Sequence, residues 1–337
     1  MKKTMSKLFI KLSLFLSVSS IFFISCSEDE GGSTPFTNAP EVIMAQSTLD
    51  TIIYVQIQQD KIPIYLSIPK GCDNENYPAV VVMHGSGGMW SNDDPTTGKM
   101  SGQNRDWREI FDNNCIVGAF VDSYSGRNVK ERTGKWTDAP DNFRISSQFV
   151  RPKDANMALE VLKNLKLDNG KPLVRPNDIA LLGFSDGASA LAATLYDTGS
   201  TPSDWEWTQS FDGNKYDASS GVQPPQPKPE NGFAGGVFYY GGSSGYGYWG
   251  PGPCNENALE ENIYRPYAPI LYQVPSKGYL TENTLCMVDL LEEKGVPLKL
   301  HIYEGVGHGF DTEGKDQSEL ARTNAINWLK TLLHITK

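Results

Sequence analysis

Three stretches of this chain are apolar almost from end to end and stop at glycines or small polar residues: "YPAVVVMHG", "CIVGAFVDSY" and "NDIALLGFS". Such a run has no polar face to give to water, so each reads as a strand covered on both sides. Helical spacing fills the intervals. "RPKDANMALEVLKNLK" sets Met157, Ala158, Val161, Leu162 and Leu165 on one face with Pro152 at its start, and "DGASALAATLY" is a helix of small residues. "QNRDWREIFDNN", "TENTLCMVDLLEEKG" and "SELARTNAINWLKTLL" read as further helices, and "FAGGVFYYGG", "APILYQV" and "PLKLHIYEG" as further strands. Ahead of them "TIIYVQIQQDKIPIYLSIP" reads as a hairpin. Strands alternating with helices pair in parallel through right-handed crossovers, which makes the fold class α/β with helices on both faces of one sheet. The chain has 337 residues, 39% of them hydrophobic, enough for one large domain without staples. Only residues 198–232, rich in proline and polar side chains, break the rhythm; the stretch is too long for a plain connection and is expected to be an insertion or cap.

Chemistry enters at "GFSDG", residues 183–187, which joins the apolar strand "IALL" to the helix "ASALAATL". A serine on so sharp a strand-to-helix turn is lifted clear of the sheet, and Gly183 and Gly187 are needed because side chains there would collide. The helix behind it aims free N–H groups at a reacting carbonyl. "HGSGG", residues 84–88, follows the first buried strand and can bring another N–H to the same place. The expected oxyanion hole is the N–H of Asp186 with that of Ser86 or Gly87. His84 is expected to brace this loop. His308 in "YEGVGHGFD" follows the last strand, where a general base belongs in the chain order nucleophile, acid, base. Asp311 reads as a loop or helix-start residue, and His301 and His334 as structural.

Together "AVVVMHGSGG", "VGAFVDSYSGR", "LLGFSDGA" and "YEGVGHGFD", in this order, resemble a dienelactone-hydrolase-like member of the α/β-hydrolase superfamily over roughly residues 75–320. The resemblance implies an eight-stranded, mostly parallel sheet, a Ser–Asp/Glu–His triad, no cofactor, and hydrolysis of esters or lactones. It also implies an acid in the loop after "PILYQV", and here the chain departs from the pattern: that loop holds Ser276, Lys277, Gly278 and Tyr279. Glu282, just beyond, is the expected stand-in that reaches back to His308. Glu256, Glu260 or Glu261 after the preceding strand is an alternative, and a Ser–His dyad or a degenerate site is another.

The N-terminal "MKKTMSKLFIKLSLFLSVSSIFFISC" has lysines, a short apolar run and then a cysteine, and it resembles a bacterial lipoprotein signal with Cys26 as the lipidated residue. The expected layout is a signal over 1–25, a linker over 26–50 and a hydrolase domain over 51–337. This places the protein at the cell envelope, held to the membrane only by its lipid anchor. Cys72, Cys115, Cys254 and Cys286 remain, an even set in an oxidising compartment, and three pairings are open. The fold implied by the resemblance favours Cys72–Cys115 and Cys254–Cys286. Forty acidic against thirty basic residues, a formal charge of −10, argue against nucleic acid as a partner. No residue spacing suits a metal. Trp90, Trp136, Trp205, Trp207, Tyr246, Tyr248 and Trp249 fall in loops and would stack on sugars, line a pocket or pack the insertion; packing is the favoured reading. The functional expectation is a serine hydrolase acting on a small-molecule or polysaccharide ester. A non-catalytic surface lipoprotein that binds a small molecule or glycan, and a peptidase of the same superfamily, are the alternatives.

Overall fold

The computed structural model describes residues 42–44, 50–72, 75–129, 141–211, 213–242 and 247–336. The proposed signal, Cys26, Trp136 and Tyr246 lie outside the described residues. Eight strands form the main sheet: β1 (Asp50–Ile57), β2 (Asp60–Ser67), β3 (Tyr77–Met83), β4 (Val117–Val121), β5 (Val174–Phe184), β6 (Gly236–Tyr239), β7 (Ile270–Pro275) and β8 (Leu298–Tyr303). Their order across the sheet is β8-β7-β6-β5-β3-β4-β2-β1, and only β2 runs against the rest. The expected mostly parallel, eight-stranded α/β sheet is therefore present.

Among the described residues six helices accompany it: α1 (Gly102–Asn113), α2 (Arg151–Asn164), α3 (Asp186–Thr194), α4 (Ala258–Glu261), α5 (Thr281–Glu293) and α6 (Asp316–Leu332). Alternation along β3 shows why both faces need cover. Ala79, Val81 and Met83 join one core with side chains of α2, α3 and α5, while Val80 and Val82 join a second with Trp107 and Phe111 of α1 and Ala321, Ala325 and Leu329 of α6. Each buried leucine or valine contributes roughly 1.5–3 kcal/mol, so the strands that carry the site rest on a stiff platform.

Both favoured disulfides are formed, Cys72–Cys115 with Cα atoms 5.9 Å apart and Cys254–Cys286 at 5.1 Å. Residues 198–232 contain a small antiparallel pair, Gln209–Phe211 with Asn214–Tyr216. The segment lies along α2, where Asn156 Nδ2 donates to Gln226 Oε1 and Lys153 Nζ to Gln223 Oε1. Val42–Met44, inside the stretch expected to be a linker, pairs in parallel with Leu165–Leu167. Trp90, Tyr248 and Trp249 are buried, so these rings pack the interior and offer no stacking surface. Among the described residues no helix is long and apolar enough to cross a membrane.

Candidate active site

The sheet delivers Ser185 at the end of β5, between that strand and α3, with φ 52° and ψ −116°. A non-glycine residue in this conformation is strained and persists only where its surroundings impose it. The glycines on either side explain how. A Cβ on Gly183 would lie 2.3 Å from the Gly187 carbonyl oxygen, and one on Gly187 would lie 2.1 Å from that of Met83. Backbone atoms cannot give way, so Gly187→Ala is expected to destabilise the fold by about 3 kcal/mol, read as a lower urea midpoint at unchanged slope. An unchanged midpoint would mean that the turn is looser than it looks.

His308 leaves the loop after β8 and meets the serine: its Nε2 is 2.9 Å from Ser185 Oγ. The two residues are 123 positions apart in sequence, and only the parallel strand order brings them together. Burial pushes the imidazole below its ordinary value, which keeps it neutral and able to accept a proton. Its other nitrogen, Nδ1, is buried and has no hydrogen-bond partner among the described residues.

Glu282 is not brought to His308. It sits exposed in the first turn of α5 and makes no hydrogen bond to the imidazole. A glutamate at a helix start is stabilised there by the unpaired N–H groups, which favour the solvent-facing position. Glu256, Glu260 and Glu261 are exposed as well and do not reach the ring. The acid loop itself is laced to the base loop, with Lys277 N–H donating to Val306 O at 3.0 Å and Gly305 N–H to Ser276 Oγ at 2.9 Å. Gly278 thus lies beside His308 with no side chain to offer; a Cβ there would be 3.9 Å from the His308 backbone nitrogen.

Two tyrosines flank the imidazole. Tyr279 lies over it at a centroid distance of 4.6 Å and 34°, its hydroxyl 3.4 Å from Nε2, and is 77% exposed. Tyr240 is buried and meets the ring edgewise at 4.8 Å and 61°. Asp311 is at a helix start, as expected, in the short turn Phe310–Thr312, but it is wholly buried and accepts from the Tyr240 hydroxyl. Neither tyrosine carried a motif, and a buried aspartate in a loop has no sequence signature.

The loop expected to form the oxyanion hole is braced by buried polar groups. Gly85 approaches the nucleophile so closely that a Cβ would lie 3.6 Å from Ser185 Cβ, and Ser86 and the exposed Gly87 follow it. His84 is fully buried, donates from Nδ1 to Gly85 O at 2.7 Å and accepts from Ser123 N–H at Nε2, 3.2 Å. Those partners fix one neutral tautomer, and burial followed by the charge of Arg151 lowers its pKa to about 4. Arg151, buried without any local pattern to announce it, is paired through Nη1 with Asp186 and donates from Nη2 to His84 O at 2.6 Å. Asp186 therefore points its carboxylate at Arg151 and keeps its backbone N–H at the helix start, beside the serine.

Known structures share this arrangement of strands. A dienelactone-hydrolase-like promiscuous phosphotriesterase from metagenomic libraries superposes with a TM-score of 0.53 at 11% identity, over 84% of this chain and 98% of its own. This is the α/β-hydrolase fold. A thermophilic esterase from Thermogutta terrifontis, with propionate bound, is similar at a TM-score of 0.53 and 13% identity, over 84% of this chain and 94% of its own. Dipeptidyl peptidase 4 from Porphyromonas gingivalis is similar at 0.52 and 16% identity, over 84% of this chain and 35% of that one. At the level of sequence, neither a family profile nor a curated protein matches the chain.

Proposed function

We propose that this chain is a serine hydrolase of the cell envelope that cleaves a carboxylic ester or lactone through an acyl-enzyme. One observation carries the reading: a strained serine at a strand-to-helix turn with its hydroxyl 2.9 Å from an imidazole nitrogen. In the proposed sequence Ser185 Oγ attacks the carbonyl carbon while its proton passes to His308 Nε2. The oxyanion accepts from the N–H of Asp186 and from that of Ser86 or Gly87. Protonated Nε2 then releases the leaving alcohol, and the same nitrogen deprotonates the water that frees Ser185. The residues ask for no cofactor. An incoming small-molecule or polysaccharide ester meets the exposed ring of Tyr279 beside His308. Two disulfides support an oxidising compartment, and the signal-like N-terminus with Cys26 supports lipid anchoring there.

An Nδ1 without a partner among the described residues favours a second reading, a surface protein that keeps the pocket and binds a small molecule or glycan without turnover. A fluorophosphonate probe separates the two. The expected result is a covalent adduct on the peptide carrying Ser185, together with hydrolysis of p-nitrophenyl acetate. Wild-type protein that forms no adduct and turns over no ester in a panel of acyl groups would leave the binder. A peptidase reading would instead require cleavage of peptide substrates by the same serine.

A further inference from the structure

We infer that Tyr240 is a positioning residue for His308: its ring, anchored through its hydroxyl to buried Asp311, holds the imidazole against Ser185 where no carboxylate among the described residues does so. The inference rests on Ser185 and His308 being the reacting pair. A triad carboxylate orients the imidazole and stabilises its charged form. Here the orienting contact comes from packing.

Tyr240 stands next to the nucleophile because β6 lies beside β5 with Tyr239 opposite Phe184. Ser185 N–H donates to Tyr239 O at 2.9 Å, and Tyr240 N–H donates to Gln273 O on β7 at 3.1 Å. The residue that follows each strand has a positive φ, Ser185 at 52° and Tyr240 at 41°. A bulky aromatic residue adopts that conformation rarely, and such strain gathers at functional sites.

The tyrosine hydroxyl donates to Asp311 Oδ1 and accepts from Gln103 Nε2 at 2.7 Å. Gln103 also donates to both oxygens of Asp311, at 3.1 and 3.0 Å, and Trp107 Nε1 donates to Oδ2 at 3.5 Å. Asp311 is three residues beyond His308 on the base loop, Tyr240 directly follows the strand beside that of the nucleophile, and Gln103 and Trp107 belong to α1. One hydrogen-bonded unit therefore sets the base loop in register with the nucleophile strand. A buried carboxylate is a costly way to fill space, and a phenylalanine would pack Tyr240's volume equally well. Tyr279, the other ring against the imidazole, is mostly solvated, so the fixed wall is Tyr240.

The test compares Tyr240→Phe, Asp311→Asn and the double variant in p-nitrophenyl acetate turnover and in the ¹⁵N resonances of the His308 ring, assigned by His308→Gln. Each single change is expected to lower kcat about tenfold at unchanged KM, because a misplaced imidazole slows only the chemical step. The double variant should be no slower than the worse single one, since both break one bond. The His308 resonances should shift or broaden in all three. Should Tyr240→Phe fail to fold, Gln103→Ala weakens the same unit and carries both readouts. Wild-type kcat in the single variants, additive losses, or slowed turnover with unmoved His308 resonances would overturn the proposal. A wild type without turnover would sink the catalytic reading, while the resonances would still test the clamp.

Discussion

Replacing Ser185 by alanine is expected to lower kcat at least about 100-fold, with His308→Ala costing the same and the double variant nothing more. The size follows from what the site lacks. In a complete triad, removing the serine or the histidine costs roughly 2 × 10⁶, and removing the acid alone roughly 3 × 10⁴. An imidazole whose Nδ1 has no partner among the described residues starts with the second loss already taken, which leaves a factor of about 10² for the pair. The equality of the two single effects matters as much as their size, because Ser185 Oγ and His308 Nε2, 2.9 Å apart, work as one unit. Steady-state kinetics on p-nitrophenyl acetate read both. A loss well above 10² would mean that Tyr240 and Tyr279 supply much of the orientation a carboxylate normally provides. Unchanged kcat in Ser185→Ala would remove the nucleophile from the proposal.

The parts of this site that were legible in the sequence are those that need a particular backbone. Gly183 and Gly187 have to be glycine because carbonyl oxygens stand 2.3 and 2.1 Å from where a Cβ would sit, and so tight a turn leaves a mark on the chain. The strands were legible for a related reason: Val80 to Val82 have cores on both sides, so no polar residue interrupts them. Glu282 was misplaced because sequence distance from the acid loop says nothing about which way a helix start faces. Arg151 and Asp311 were illegible because a charged side chain is ordinarily exposed, and only the partners Asp186, Gln103 and Tyr240 make burial tolerable. Those partners come from distant parts of the chain, and no local pattern announces them.

Giving Gly278 a carboxylate is expected to raise kcat about 100-fold, equivalent to about 2.7 kcal/mol of barrier. The position is dictated by the loop lacing. Lys277 N–H to Val306 O and Gly305 N–H to Ser276 Oγ hold this loop against the one that carries His308, and a Cβ on Gly278 would stand 3.9 Å from the His308 backbone nitrogen. Its φ is not positive, so an aspartate finds an ordinary backbone. Space is the obstacle: the new Cβ would meet Pro275 Cγ and Thr281 Oγ1 at 2.9 Å, and the gap lined by Tyr240, Thr281, Thr284 and His308 is too narrow for a water molecule. Gly278→Asp should accordingly be made alone and with Thr281→Ala, which removes one of the two contacts. Acidity provides the second readout. Burial lowers the His308 pKa, so the acid limb of kcat/KM in the wild type should fall below the ordinary imidazole value of about 6.5. An aspartate beside Nδ1 favours the charged ring and moves that limb upward. Faster turnover with a raised acid limb would show that the chain lacks one carboxylate and nothing else; a well-folded variant with neither change would mean that the imidazole is turned away from this loop.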